Sequence, residues 1–497
     1  MPKTFLACDL GAESGRVIAG HLVQGRLHLE EIHRFANTPI RTTEGLLWNF
    51  PKLLDEIQQG LRLAAARDLD IVGISTDSWG VDYVLLDEAR RFMAPVFHYR
   101  DERSIRGVSQ IYRHLTSSEI FLETGIQFMP INTLYQLGGE SPARLAQAHS
   151  ILGIADAVNY WMSGVVCAEE SLASTFQFYN PRTRQWSKRL WQAMAWPEKI
   201  LPKVVRPGTI LGPLNQEIAR ATGLPNNPVL ATCSHDTGAA VVAVPAVGTN
   251  WAYLSSGTWS LIGVERQHPV ITERCRELNF TNELGYGDTV RLLKNIVGLW
   301  MVQECRRAWS QEGILLDYTQ LSQLAGEAGS FLAIINPSDP RFVEPGEMPQ
   351  KVAALCAETG QPAPSTPGET IRIILESLAL LYARTLGQLE ELTEQPIEVL
   401  HIVGGGSRNQ LLNQFTANAT GRQILAGPAE GTAAGNILVQ AISFGEITGV
   451  EEARQIMRRS TELAVFAPQN QSLWQEATQR FDQLFPQNPS VIAGVKS

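Results

Sequence analysis

Ser234-His235-Asp236-Thr237-Gly238 marks the point where an apolar run over residues 229–234 gives way to the small-residue run Gly238-Ala239-Ala240-Val241-Val242-Ala243. A buried strand handing over to a helix has this signature. A carboxylate at that handover sits where open α/β sheets place ligands, at the carboxyl end of a strand. Asp236 is therefore read both as a cap of the following helix, a contribution of about 1 kcal/mol, and as a candidate general base. Two more small-residue turns lie between strand-like runs, Asp9-Leu10-Gly11-Ala12-Glu13-Ser14-Gly15-Arg16 and Ser255-Ser256-Gly257-Thr258. Glycines in such turns let the backbone approach an anion closely. Three turns of this kind predict a phosphate-handling cleft with a base beside it.

Outward from these turns, residues 5–9, 16–19 and 27–33 read as strands, the last two joined by a turn at Gly25. Residues 51–66 carry Leu53, Leu54, Ile57, Leu61 and Ala64 at helical spacing, and residues 72–76 form a short apolar run. This alternation predicts an α/β architecture with helices on a mixed sheet. Residues near 105–215 are less regular, rich in Trp, Pro and Gln, and read as insertions on the first sheet. Pro245-Ala246-Val247-Gly248 breaks the pattern and sets a domain boundary. Beyond it come strand-like runs at 251–254 and 259–264, a long amphipathic helix over 371–389, and a strand at 399–403 ending in Gly404-Gly405-Gly406. A helix bearing Leu411, Leu412 and Phe415 follows, then a last one bearing Leu473, Trp474, Ala477 and Phe481. The tail after Pro486 reads as loose. Both halves open with strand, small-residue turn, strand, which points to a duplicated fold.

The bulk properties agree. A chain of 497 residues exceeds what one core ordinarily supports, so two domains are expected. No window supplies the roughly 20 apolar residues needed to span a bilayer. A net charge of −9 without a Lys/Arg block argues against a nucleic-acid partner, so a bound nucleotide would rely on backbone N–H groups and a metal. The six cysteines are scattered singly, without C-x-x-C spacing, and read as reduced core residues. Together with a start lacking signal-peptide features, they predict a cytoplasmic protein.

Within the first turn Asp9 can hold magnesium directly or through water, although an Asp and a Ser making turn hydrogen bonds in an ordinary hairpin read the same way. Thr76-Asp77-Ser78-Trp79-Gly80-Val81-Asp82-Tyr83 joins an aromatic face to two carboxylates. It reads as the wall of a polyol pocket, or as a β-turn with a core Trp. Lys294-Asn295 and Gln303 fall where a helix begins or runs. The Gly404-to-Gly406 run invites a dinucleotide-binding reading, but Ser407-Arg408-Asn409 follow with no third glycine in register, which disfavours an oxidoreductase.

Taken together, Asp9-to-Arg16, Thr76-to-Asp82, Tyr99-Arg100-Asp101, Ser234-to-Gly238, Leu254-to-Ser260, Leu293-Lys294-Asn295-Ile296 with Gly298-Leu299-Trp300, and Ile402-to-Gly406 resemble the FGGY carbohydrate kinases in order and spacing, from about residue 5 to 466. The resemblance implies an actin-like ATPase (ribonuclease-H-like) fold of two domains around a central cleft: residues 1–244 for sugar, 245–467 for ATP, and 468–497 as a helix and tail. It implies Ala12, Glu13, Ser14, Gly15 and Arg16 as a first phosphate loop, Thr258, Gln303 and Gly405 as further ATP contacts, and Mg²⁺ with ATP as co-substrate. Gly80, His235, Asp236, Thr237 and Asn295 correspond to the sugar pocket, with Asp236 as the base. Glu13 departs from the family pattern: its carboxylate would repel a triphosphate unless it points away or contacts magnesium, while its N–H can serve in either case. The implied activity is ATP-dependent phosphorylation of the 1-hydroxyl of L-rhamnulose, with L-fuculose, xylulose or glycerol as alternative acceptors. A non-catalytic nucleotide-gated binding module on the same fold is the rival from another class.

Overall fold

The first strand, β1 (Lys3–Leu10), is buried from Thr4 to Leu10, as a central strand covered on both faces must be. It pairs antiparallel with β2 (Ser14–Val23), which pairs antiparallel with β3 (Arg26–Ala36). Helix α1 (Phe50–Ala65) buries Phe50, Leu53, Ile57, Leu61 and Ala64 on one face and is capped by the Asn49 side chain, which accepts the Lys52 N–H at 3.2 Å. On the other side of β1 come the parallel strands β4 (Asp70–Ser78) and β6 (Pro228–Ala231), with β5 (Thr209–Pro213) antiparallel at the edge. The sheet order is β5-β6-β4-β1-β2-β3. After β6, helix α2 (Asp236–Val242) begins.

The second sheet repeats this plan. Strand β7 (Trp251–Ser256) pairs antiparallel with β8 (Trp259–Arg266), β8 with β10 (Val290–Val297), and β10 with β9 (Thr281–Leu284). Strands β11 (Val399–Val403) and β12 (Gln423–Ala426) extend the other side of β7 in parallel, and β13 (Ala464–Phe466) closes the edge. Helix α3 (Trp300–Gln311) follows β10. The long helix α4 (Pro367–Thr393) starts at a capping box between Thr366 and Glu369, α5 (Gln410–Thr420) separates β11 from β12, and α6 (Gly431–Ser443) follows β12. In the first sheet three antiparallel strands are continued by two parallel ones, and the second does the same with β9 as an added antiparallel strand, which is the ribonuclease-H-like succession expected of an actin-like fold. The computed structural model describes residues 2–486; the tail read as loose lies outside them, beyond helix α7 (Gln471–Leu484).

Two sequence expectations need correction. Lys294 and Asn295 stand in strand β10, not in a helix, and only Gln303 is helical. The segment read as irregular holds helices Arg103–Ile111, Ser117–Thr124 and Ile154–Ser163, together with a small sheet of Phe92–Met93, Tyr83–Asp87 and Ala148–Gly153. The first two of these helices, with Leu85 and Ile151 of the small sheet, are buried in a core shared with the second sheet, whereas Ile154–Ser163 packs into the core of the first, so short elements suffice where a neighbour supplies the other wall. That segment also spans the two halves. The Phe128 N–H donates to Asn279 Oδ1 at 2.8 Å, and Asn282 Nδ2 donates to the Gly125 carbonyl at 3.0 Å.

Candidate active site

The carboxyl ends of β1, β4 and β6 meet at one place. Asp9 and Asp77 are register partners across β1 and β4, and the Ser78 N–H donates to the Ser234 carbonyl at 2.8 Å, bringing the His235-Asp236 turn alongside. Asp236 is the first residue of α2, with His235 in the cap position. Its Oδ1 accepts the Thr237 N–H at 2.5 Å and the Thr237 hydroxyl at 3.1 Å. The carboxylate thus satisfies a first-turn donor from inside the helix rather than from the cap position, which corrects the capping expectation. Behind the turn, buried Glu169 accepts the Ser234 N–H at 2.9 Å, and burial pushes its carboxyl up to about 7.

A cavity of about 380 Å³ opens in front of Asp236, within the range of small-molecule pockets. From the first hairpin Ala12, Glu13, Ser14 and Arg16 reach it, and from the end of β4 Gly80 does. His235, Asp236 and Thr237 form its floor, while Thr258, Asn295 and Gly405 come from the second half. Asn295 is fixed by Gln127, whose Oε1 accepts the Asn295 N–H at 2.8 Å and Nδ2 at 3.1 Å. The Gly404-Gly405-Gly406 turn lies against Ser256. A Cβ on Gly406 would stand 1.9 Å from Ser256 Oγ, and Gly404 has φ +83°, so this approach requires glycine.

Three of the expected residues stand back from the cavity. Gly15 is packed on Phe35, 2.2 Å from where its Cβ would be, so its smallness serves the hairpin. Gln303 lies behind the second turn, its Nε2 donating to Thr258 Oγ1 at 3.3 Å. Asp9 is buried and ion-paired with Arg16, which also binds Glu430 from the second half. Burial raises the Asp9 carboxyl above its ordinary value against the pull of Arg16. Asp77 is raised further, by burial and by the charge of Asp9. One of its oxygens accepts Asn436 Nδ2 at 2.6 Å and the other has no partner.

The polyol-wall reading of Thr76-to-Tyr83 holds only in part. Trp79 and Gly80 line the cavity, but Asp82 is fully buried, where it accepts the indole N–H groups of Trp48 at 2.6 Å and Trp79 at 2.8 Å. Burial raises its carboxyl to about 6. Asp82 orients the aromatic wall and is unavailable to a sugar hydroxyl. Sequence reasoning missed Glu283 and Glu430. Both are charged residues in or beside apolar runs, and their only sequence signal is a carboxylate breaking a strand or preceding a small-residue helix.

A carboxylate beside paired glycine-bearing turns, one from each of two duplicated α/β halves, is an arrangement suited to a phosphotransferase with a cleft-bound acceptor. Residues 4–243 match the model of the FGGY family of carbohydrate kinases, N-terminal domain, and residues 252–444 match the C-terminal domain. The chain belongs to the FGGY family and is an ATP-dependent carbohydrate kinase. A protein named rhamnulokinase from Bacteroides thetaiotaomicron is 42% identical over 96% of this chain and 98% of its own length, and one from Bacillus subtilis is 39% identical over 94% and 96%. Among solved structures, a ligand-bound xylulose kinase from Lactobacillus acidophilus superposes with a TM-score of 0.80 at 15% identity, covering 97% of both chains. Plasmodium falciparum glycerol kinase with ADP gives 0.77 at 13% identity over 99% of both. These likenesses bear on the fold alone.

Proposed function

We propose that this chain transfers the γ-phosphoryl group of ATP to the 1-hydroxyl of L-rhamnulose, giving L-rhamnulose 1-phosphate and ADP, with Asp236 as general base. The choice of sugar is supported by the relatives named rhamnulokinase, which match almost end to end. The observation that carries the chemistry is that Asp236 opens into the same cavity as the Ala12–Ser14, Thr258 and Gly405 turns.

Sugar bound against Trp79, Gly80, His235 and Asn295 presents its primary hydroxyl to Asp236, which takes the proton as the oxygen attacks phosphorus in line. The Ala12–Ser14 turn, Thr258 and Gly405 hold the phosphates, and Arg16 balances the charge that develops on them. Asp9 is the residue we assign to magnesium, which would neutralise phosphate charge when bound with ATP. The donor set fits such an ion: Asp9 and its register partner Asp77 bring two carboxyl groups side by side, and magnesium is ordinarily held by one or two carboxylates with water and substrate phosphates. The second oxygen of neighbouring Asp77 has no hydrogen-bond partner and would be open to a metal-bound water. Closure of the cleft excludes water as a competing acceptor. All six cysteines are unpaired and buried, which supports the cytoplasmic setting. No helix among the described residues is long and apolar enough to cross a membrane.

ADP release across a panel of L-rhamnulose, L-fuculose, xylulose and glycerol tests the acceptor. L-Rhamnulose is expected to give the highest kcat/KM, and preference for another member would replace the sugar while leaving the chemistry in place. Asp236→Asn is expected to lower kcat on the order of 10²- to 10⁴-fold with ATP binding nearly unchanged. Turnover close to that of the parent would end the base assignment.

A further inference from the structure

Arg291 is completely buried at the root of the cleft. It is on β10, directly opposite Glu283 on β9, and both reach from the second half toward the His235-Asp236 turn of the first. Arg291 Nη2 donates to His235 Nδ1 at 3.0 Å and to the Leu284 carbonyl at 3.0 Å. Glu283 Oε2 stands 3.3 Å from both Arg291 Nη2 and His235 Nδ1 but makes no hydrogen bond of its own. Arg291 Nη1 has no acceptor at all. A buried guanidinium left partly unsatisfied is a poor source of stability, since desolvation offsets what its ion pair contributes. Its placement calls for another reason.

Donor chemistry supplies one. A guanidinium only donates, so the ring nitrogen it faces must carry the lone pair. The His235 proton then resides on Nε2, which lies 3.3 Å from Asp236 Oδ1. We infer that Arg291 and Glu283 are positioning residues: Arg291 fixes His235 as the Nε2–H tautomer facing Asp236, and Glu283 balances the Arg291 charge so that this can happen in a dry site. A neutral N–H donor then orients the carboxylate without the full positive charge that would weaken it as a base. Because His235 and Asp236 belong to the first half while Arg291 and Glu283 belong to the second, the base is correctly oriented only when the β9–β10 hairpin is seated against the α2 turn. This inference rests on Asp236 being the base.

The test combines ring ¹⁵N–¹H correlation spectra of the histidines with kinetics. The His235 signal is assigned by its loss in His235→Gln. The expected signature in the parent protein is a protonated Nε2 and an unprotonated Nδ1, and a protonated Nδ1 at neutral pH overturns the inference. In Arg291→Met the only partner left to Nδ1 is the Glu283 carboxylate, so the proton is expected to move to Nδ1. The kcat should fall on the order of 100-fold, less than the roughly 10⁴-fold loss when the general base is itself an imidazole held in the wrong tautomer, because His235 only orients the base; the KM for ATP should change little. An unaltered kcat overturns the proposal.

Glu283→Gln combined with Arg291→Met removes the lone buried charge and lets the new amide donate to Nδ1. The Nε2–H signal and most of the kcat are expected to return, and this variant carries the test if the single one does not fold. A restored tautomer without restored kcat would sever the tautomer from turnover and sink the proposal. Near-normal turnover in Asp236→Asn would instead remove the base reading while leaving the tautomer result standing, so the two failures are distinguishable.

Discussion

His98 is stacked against Trp48 and Tyr99, at ring-centroid distances of 4.2 and 4.3 Å, and accepts the Arg100 N–H on Nδ1 at 2.9 Å. Burial, helped by the Arg100 charge, lowers its pKa from 6.5 to about 3. Below pH 6.5 the unfolded chain binds a proton here that the native state refuses, so native stability falls as pH drops through that value. Between pH 7.5 and 5.5 this one group should remove about 1.4 kcal/mol. Urea unfolding of His98→Asn at the two pH values is expected to show a smaller loss than the parent by that amount, and equal losses would mean that His98 titrates normally. The same contrast explains what was legible residue by residue. Asp236, Thr258 and Gly405 announced themselves because small residues at strand ends have few structural uses. Glu283 and Arg291 gave no such sign, because a charged residue in a strand-like run reads as solvent-facing until its buried partners are seen.

Helices α2 and α6 cross so closely that a Cβ on Gly435 would lie 1.7 Å from the Ala239 carbonyl oxygen. Gly435→Ala in an isolated helix should stabilise by about 1 kcal/mol. Here the obstacle is backbone that cannot rotate aside, so the helices must separate, and overpacking of this kind ordinarily costs about 1–3 kcal/mol. Overpacking is expected to win, giving a lower urea midpoint. A raised midpoint would show that the crossing has room. Helix α6 also marks where sequence patterns stop being informative. Gly431–Ser443 is buried from Ala433 to Ala441, and a helix buried all round has no polar stripe to reveal its period. By contrast α4 was readable because Ile371, Ile374, Leu375, Leu378, Tyr382, Leu386 and Leu389 recur at helical spacing along one face. Lys294 and Asn295 were misplaced for a related reason: strand β10 runs within a few residues into α3, separated only by Gly298 and Leu299, so polar residues near that junction resemble a helix start.

The two sheets repeat one plan, yet the halves do not divide cleanly at the boundary proposed at residue 244. By sequence α6 belongs to the second half, but it packs on the first sheet. Ile437 Cδ1 lies 2.4 Å from where a Cβ of Gly20 would stand, Gln440 Nε2 donates to the Leu6 carbonyl at 3.0 Å, and Asn436 holds Asp77. Further along, Phe444 meets Phe5 with ring centroids 5.8 Å apart, and Ser460 Oγ accepts the Leu27 N–H at 2.8 Å. Phe5, Ala7 and Ile18 are therefore buried by chain lying more than 400 residues away, a contact that no local pattern can announce. A fragment of residues 1–244 would leave that apolar face of its sheet open, together with the buried carboxylate of Asp77 whose amide partner is gone. Exposed apolar surface of this kind favours association over a unique fold. The fragment alone is expected to show no cooperative thermal transition. Adding a second fragment of residues 245–467 should restore one, because it carries α6 and the Val450–Ser460 helix that cover this face, together with the second sheet that closes the shared core. A monomeric, cooperatively unfolding 1–244 fragment would show instead that the first sheet is self-sufficient, and that α6 is a movable contact between halves rather than part of the first core.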